Sequence, residues 1–447
     1  MKVYVISQEG KPLMPTSPCK AKHLLKEGRA KCIRRTPFTI KLLYKTTNYT
    51  QPLTLGIDTG SKYIGSAVVN QKNEVIYSAE TEVRNDIKKK MARRASYRRN
   101  RRNRKTRYRS CRFLNRKNSI KKGRFSPTMV SKIASHQKEI KFIYKILPIT
   151  KLIIETGTFD SHALKNPKVL KNKLLYQHGL NYGFANTKAY VLFRDEYTCK
   201  VCEEENCKAL NVHHIVFRSN GGLDDQKNLI TLCKKCHDKL HSKKPSAKLE
   251  TKLANLIGKT KGNLKYAAQM NSIRLQLLKL YPKAEETFGY ITKKHRQFYN
   301  LDKSHCIDAA IIASKGKNIV NITEKVLIKR CIPKGDYQQT KGERSEQKIT
   351  TGKIQGFRKF DKVLYQNKEY FIKGRENGKV SKKGKELTGY AVLMDINGNV
   401  PQVILKNVCK NSKTGTTALK SNLNKLKRLS ARKSQMMTLQ TANSSSP

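Results

Sequence analysis

The order of apolar and polar residues along the 447-residue chain divides it into elements before any composition is considered. Leu53–Ile57 (LTLGI) is a continuous apolar run of strand length that ends at Asp58. A Thr59-Gly60-Ser61 turn leads to a second strand, YIGSAVVN, and Asn73 marks the turn into a third, EVIYSAETEV. Upstream, residues 1–50 hold the turn-rich KPLMPTSPCKAKHLLKEGRAK and the alternating IRRTPFTIKLLYK, which predict a small module with a short helix near Ala21–Glu27 and a following strand. The spacing over Met129–Ile146 predicts a helix, and KLIIE after it a strand ending at Glu155. Tyr266–Leu280 reads as an amphipathic helix, Thr287–Leu301 (TFGYITKKHRQFYNL) as extended chain, and Ser304 as the cap of a helix beginning HCIDAAIIAS. From about residue 331 short alternating segments with Gly and Asn turns (KVLYQNKEYFIKG, GYAVLMDINGN, VPQVILKNV) predict a small β-rich domain. The tail from about Asn411, rich in Ser, Thr and Lys, reads as flexible.

Charge changes this picture most between residues 88 and 124. That stretch is about half Lys and Arg, contains no acid and no Pro, and predicts a helix that would fray by self-repulsion unless phosphates held it. Arg93, Arg94, Arg98, Arg99, Arg101, Arg102, Arg104, Arg107, Arg109 and Arg112 supply forked donors suited to phosphate. Across the chain, 94 Lys and Arg stand against 32 acids, a formal charge of +62. A compact fold carries that much like charge only at a cost in stability, so a polyanion is the expected partner. Nothing in the N-terminal residues resembles a signal peptide, and no apolar run is long enough to span a membrane. The eleven cysteines do not form a secreted disulfide pattern, which points to a reducing compartment, the cytoplasm if the cell is bacterial.

Two sets of residues carry candidate chemistry. Asp58 and Glu155 end apolar strands, and Asp308 lies on a helix three residues after His305, on the same face. Carboxylates at adjacent strand ends, with another on a facing helix, are the oxygen ligands that paired Mg²⁺ ions need to hydrolyse a phosphodiester, and His305 can activate or orient the water. Each acid also follows or opens a strongly apolar element, where a charge is otherwise hard to explain. The second set is bracketed by two C-x-x-C pairs, Cys199/Cys202 and Cys233/Cys236, the donors of a closed tetrahedral zinc site; a thioredoxin-like redox site would need only one pair. Between and beside them lie His213, His214, Asn228 and His237. Adjacent histidines on a strand face opposite ways, so one can hold a metal while its neighbour reaches a water. His241 shares the face of His237 without an assigned role, and Cys207 is a spare thiol.

With these residues in view, VHHI, the later NL and C-x-x-CH resemble HNH endonucleases, whereas GIDTG, IIE and SHCIDA resemble the three split segments of RuvC-type nucleases. Their order, together with the PLMP stretch and IPKGDYQQTKGERSEQK, resembles the transposon-encoded IscB family, compact relatives of the CRISPR effector nucleases. The resemblance covers nearly the whole chain except the last 35 or so residues. It implies an α/β multi-domain fold: an RNase H-like (RuvC) mixed sheet split in sequence, an inserted ββα-metal (HNH) domain, an Arg-rich bridge helix and a small β-rich C-terminal domain. The expected divisions are an N-terminal module over 1–50, RuvC segments over 51–87, 125–185 and 246–325, the bridge helix over 88–124, the HNH insert over 186–245, a β-rich domain reading a motif beside the target over 326–410, and a flexible basic tail over 411–447.

The resemblance further implies a monomeric ribonucleoprotein. A guide RNA would pair with double-stranded DNA, with His214 as HNH general base, His213 and His237 holding Mg²⁺, Asn228 assisting, and Asp58, Glu155, His305 and Asp308 forming the RuvC site. HNH would cut the guide-paired strand and RuvC the displaced one. Two other readings stay open: a protein-guided homing or junction-resolving endonuclease, which cuts after RNase treatment, and a non-catalytic RNA-binding protein, which explains the charge but not the bracketed histidines.

Overall fold

The apolar runs after residue 53 fold back on one another in antiparallel register, with Asn73 taking the left-handed conformation (φ +60°) that its turn requires. In the computed structural model they are β1 (Leu53–Asp58), β2 (Tyr63–Asn70) and β3 (Val75–Glu82). Four more strands complete a seven-stranded mixed sheet: β4 (Lys151–Thr156), β5 (Glu285–Phe288), β6 (Lys325–Cys331) and β7 (Gln435–Thr441), in the order β5-β4-β1-β2-β3-β6-β7. β4 runs parallel to β1 and β5, β6 parallel to β3, and β7 antiparallel to β6. The structure describes the chain apart from residues 1, 104–122, 204–208, 218–221, 223, 242–263, 320–324, 334–336, 339–346, 349–352, 377–378, 381–385, 388, 405–415, 432–434 and 442–447. It divides into two compact units, Met1–Gly157 with Gln269–Pro447, and Thr158–Ala268.

Five helices matter here: α1 (Ile87–Asn103), α2 (Pro127–Tyr144), α4 (Gly289–Phe298) and α5 (His305–Ser314) of the first unit, and α3 (Lys265–Leu280), which belongs to it from Gln269 onward. Strand alternation divides the sheet into two faces. Leu53, Leu55 and Ile57 of β1, with Ile64 and Val68 of β2, pack with Ile140 and Ile143 of α2 and Ile273 and Leu277 of α3. The opposite face carries small residues. Ala67 and Val69 of β2 meet Ala309, Ala310 and Ala313 of α5. A Cβ at Gly56 would collide with the main chain of Ala309 and Ala313, and one at Gly65 with the His305 carbonyl. The two glycines therefore let α5 lie closer to the sheet than any side chain would allow.

Between α2 and the sheet, Lys329 of β6 meets Glu139 of α2 at 2.6 Å, and both are fully buried. Ser66 and Tyr77 donate to the same carboxylate, so the charge taken out of water is paired and hydrogen-bonded.

Several expectations are corrected. Thr287–Leu301 is not extended: β5 ends at Phe288 and α4 occupies most of the rest. Its β-branched and aromatic residues favour strand locally, but Thr292 and Arg296, one turn apart, find partners toward the sheet only as a helix. The segment read as a flexible tail contributes β7, whose Met436, Met437 and Leu439 join the apolar cores. β6 belongs to the central sheet rather than to the β-rich domain. That domain's five-stranded sheet (Lys362–Tyr365, Lys368–Glu376, Tyr390–Met394, Lys420–Asn422, Lys427–Ser430) runs beyond residue 410. The N-terminal helix spans Pro18–Lys26, capped by Ser17, beside a four-stranded sheet.

The second unit is built on a hairpin, Leu210–His214 with Leu229–Cys233, followed directly by the helix Lys234–Leu240. Its small core gathers Val201, Ile215, Ile230, Leu232 and Leu240 around the four cysteines.

Candidate active sites

The first site forms where β1 and β4 end side by side. Their parallel register sets Asp58 opposite Glu155, on the sheet face that α5 covers. The close approach at Gly65 brings in the first turn of α5, so that His305 Nδ1 lies 2.6 Å from Asp58 Oδ2. Asp308, in the same turn, is buried beneath. The fold thus brings Asp58, Glu155, His305 and Asp308 together at one end of the sheet. Three residues not predicted complete the surroundings. Thr292 of α4 donates to Glu155, Arg296 of α4 donates to Asp308 at 2.6 Å, and Glu80 of β3 accepts from the Cys306 main-chain N–H at 3.3 Å. The spacing of four between Thr292 and Arg296 is the signal of a helix face, hidden by a composition that favours strand.

The electrostatics are those of crowded acids. Burial and the Asp58 charge push the Glu155 carboxyl up to about 7, against the opposing hydrogen bond from Thr292. Burial also raises Asp308, despite Arg296. His305 is raised by its hydrogen bond to Asp58, and the Tyr63 ring stacks 5.7 Å from it. The charges of Asp58 and Asp308 both reach Glu155, and carboxylate oxygens are the hard donors that divalent cations such as Mg²⁺ take, but among the described residues these acids do not form a group with ligand atoms already within 4.8 Å of one another.

The second unit holds two further clusters. The sulfur atoms of Cys199, Cys202, Cys233 and Cys236 all lie within 4.8 Å of one another. Burial alone would raise the Cys199 thiol, but main-chain N–H groups of Cys202, Cys233 and Val201 bring it down to about 7. Four converging thiols, one already inclined to ionise, fit a tetrahedral zinc ion.

The other cluster is His213, His237 and His241, whose ring nitrogens also lie within 4.8 Å of one another. His213 comes from the hairpin and the other two from successive turns of Lys234–Leu240 and its C-cap, so His241 joins the predicted pair as a third member. Burial, then the neighbouring His241, His237 and His214, lower His213 to about 4, keeping it neutral as a metal ligand must be. His214 faces the other way, with Nε2 2.7 Å from Asp224 Oδ1. Asn228 clamps the strand after the histidines: its Oδ1 accepts from the Val216 N–H at 2.8 Å and its Nδ2 donates to the Val216 carbonyl at 3.1 Å. Cys207 lies outside the described residues.

Of the predicted phosphate-binding arginines, Arg93, Arg94, Arg98 and Arg99 are exposed on α1. Arg101 and Arg102 lie in α1 but their side chains are outside the described residues, as are Arg104, Arg107, Arg109 and Arg112 entirely. Between α1 and α2 a cavity of about 850 Å³ is lined by Arg84, Lys90, Arg93, Arg94, Arg124 and Lys138 among others, with Tyr97 in its wall. Among the described residues no helix is long and apolar enough to cross a membrane.

Two family models match separate stretches of the chain. Residues 3–179 match the family model described as RRXRR protein, and residues 199–243 the model described as HNH endonuclease. Anaredoxin from Nostoc sp. (strain PCC 7120 / SAG 25.82 / UTEX 2576) is 49% identical over 47 residues, 10% of this chain and 60% of that protein. Crystal structures of Streptococcus thermophilus Cas9 in complex with the GGAA PAM and the AGAA PAM are 12% identical, with TM-scores of 0.34 and 0.33, over 60% of this chain and 32% of theirs. The chain thus spans under two thirds of the curated relative and about a third of the solved ones. The four-cysteine and three-histidine clusters both fall within residues 199–243, the segment that matches the HNH endonuclease model.

Proposed function

We propose that the chain is an RNA-guided DNA endonuclease of IscB type, with two independent hydrolytic centres that cut opposite strands. The observation that carries this reading is that one strongly basic chain holds, in separate units, three carboxylates gathered about His305 and a cluster of three imidazoles whose nitrogens lie close enough to share one ion. A guide RNA is supported by the excess of positive charge and by the resemblance of the motif order.

In this reading the seven-stranded sheet is the RuvC-type centre. Asp58, Glu155 and Asp308 would hold divalent ions, whose chemistry is to activate a water and stabilise the leaving oxygen. His305, oriented through Nδ1 by Asp58, presents Nε2 to accept the proton of that water. In the HNH centre His213, His237 and His241 would hold one ion. Mg²⁺ held by His213 and His237, the expectation from sequence, does not suit this donor set, because three imidazole nitrogens favour a transition ion. His214 serves as general base, held in orientation by Asp224, and Asn228 keeps the histidine strand in register through Val216. The cysteine cluster would hold zinc structurally.

The test is strand-specific cleavage of a labelled duplex by the ribonucleoprotein. Asp58→Ala is expected to leave a nick in the guide-paired strand only, and His214→Ala a nick in the displaced strand only. Loss of both cuts in either variant, or full cleavage after the RNA is digested away, rejects the reading.

A further inference from the structure

One oxygen of Asp308 already has a cationic partner. Arg296 Nη1 lies 2.6 Å from Asp308 Oδ1, and only 12% and 13% of the two side chains are exposed. The pair is held firmly by the fold. One turn earlier on α4, Thr292 donates to Glu155, so the helix is docked onto two of the three carboxylates at once. At the other end, α5 is fixed by Ser304, which caps it, and by Glu80 at the Cys306 N–H. A guanidinium stays charged at any accessible pH, and its influence reaches Glu155, whose carboxyl it pulls downward.

Such a group cannot be neutral toward an incoming cation. While Arg296 holds Oδ1 that oxygen is not free to ligate, and its cationic charge beside Asp308 opposes a second cation until the charge-assisted hydrogen bond is given up. Once released, the guanidinium stands beside the centre with its forked donors available, a geometry matched to a phosphate.

Building on the RuvC-type reading of this centre, we infer that Arg296 is a built-in competitor for the divalent ion. It keeps metal affinity low until a strand arrives, then exchanges Asp308 for a phosphate of that strand. Metal loading and substrate binding at the sheet centre are thereby coupled, and the strand that supplies the phosphate is the one to be cut.

The experiment is a Mn²⁺ titration of the full ribonucleoprotein by calorimetry and by electron paramagnetic resonance, comparing the parent with Arg296→Gln, Arg296→Lys and Asp58→Asn. The binding event that Asp58→Asn removes identifies the sheet centre. In Arg296→Gln that event is expected to tighten about tenfold, as for the loss of one charge-assisted competitor, while Arg296→Lys stays near the parent. Adding a cleavage-resistant duplex should tighten Mn²⁺ binding in the parent and much less in Arg296→Gln. An affinity that is unchanged or weaker in Arg296→Gln overturns the competitor role, since a merely structural ion pair would lower the melting temperature without improving metal binding. If Asp58→Asn removes no binding event, both this inference and the RuvC-type reading beneath it fall.

Discussion

His136 has no exposed surface; its Nδ1 lies 2.9 Å from the Lys132 carbonyl, and among the described residues its Nε2 has no hydrogen-bond partner. Burial lowers its pKa to about 4 from an ordinary 6.5. The folded chain therefore holds this ring neutral, while the unfolded chain takes up a proton as pH falls below 6.5. Stability is fully present above that value and is lost between 6.5 and 4, to a limit of about 3 kcal/mol. The melting temperature should fall over this range more steeply in the parent than in His136→Gln, and parallel curves would show that the ring is not the source.

Other single residues differ in how far their patterns reveal them. Asp58, Glu155 and Asp308 stand out because each interrupts or ends an apolar run, where a charge needs a reason. Arg296 and Thr292 carry no such mark: in a chain with 94 basic residues one more arginine is invisible until its partner is known.

At the scale of elements, period is a sound guide where packing and propensity agree. β1 to β4, α2 and α5 follow the alternating or helical apolar patterns closely, since each has a face buried in one or other of the two cores that flank the sheet. α4 and β7 escape such a reading because one deciding partner of each, Glu155 for α4 and β6 for β7, is remote in sequence. α4 is held by Glu155 and Asp308, and β7 pairs along its whole length with β6, more than a hundred residues earlier.

The second unit depends on different means. Its hairpin and helix meet at Cys233, which caps the helix by accepting the Cys236 N–H, so two elements and two cysteines of the cluster share one junction. In the proposed reading zinc held by the four cysteines would supply the stability that a core this small lacks. Stripping zinc with a strong chelator, or Cys233→Ser, is expected to abolish hydrogen-exchange protection in Leu210–His214 and Leu229–Cys233 while that of β1 and β2 persists. Cleavage of the guide-paired strand should be lost and the other cut retained. Protection lost equally in both units would mean that they do not unfold independently.

For the molecule as a whole, the formal +62 is the property that the fold alone leaves unanswered. Buried charge is settled internally, as Lys329 is by Glu139, but the surface excess has too few acids to pair with. Part of it is gathered between α1 and α2, where Arg93 and Arg94 face the cavity that Arg124 and Lys138 also line. Phosphates entering there would release counterions, so the logarithm of affinity for nucleic acid should fall linearly with the logarithm of salt concentration, losing at least about a thousandfold between 50 and 200 mM. Replacing Arg93, Arg94, Arg98 and Arg99 with Gln should make that slope shallower by up to about 3.6, about 0.9 for each phosphate no longer neutralised. Because these side chains are remote in role from both hydrolytic clusters, cleavage at saturating RNA and DNA should survive the change, and filter binding across a salt series separates the two effects. A slope that the fourfold variant leaves unaltered would move the phosphate path away from α1.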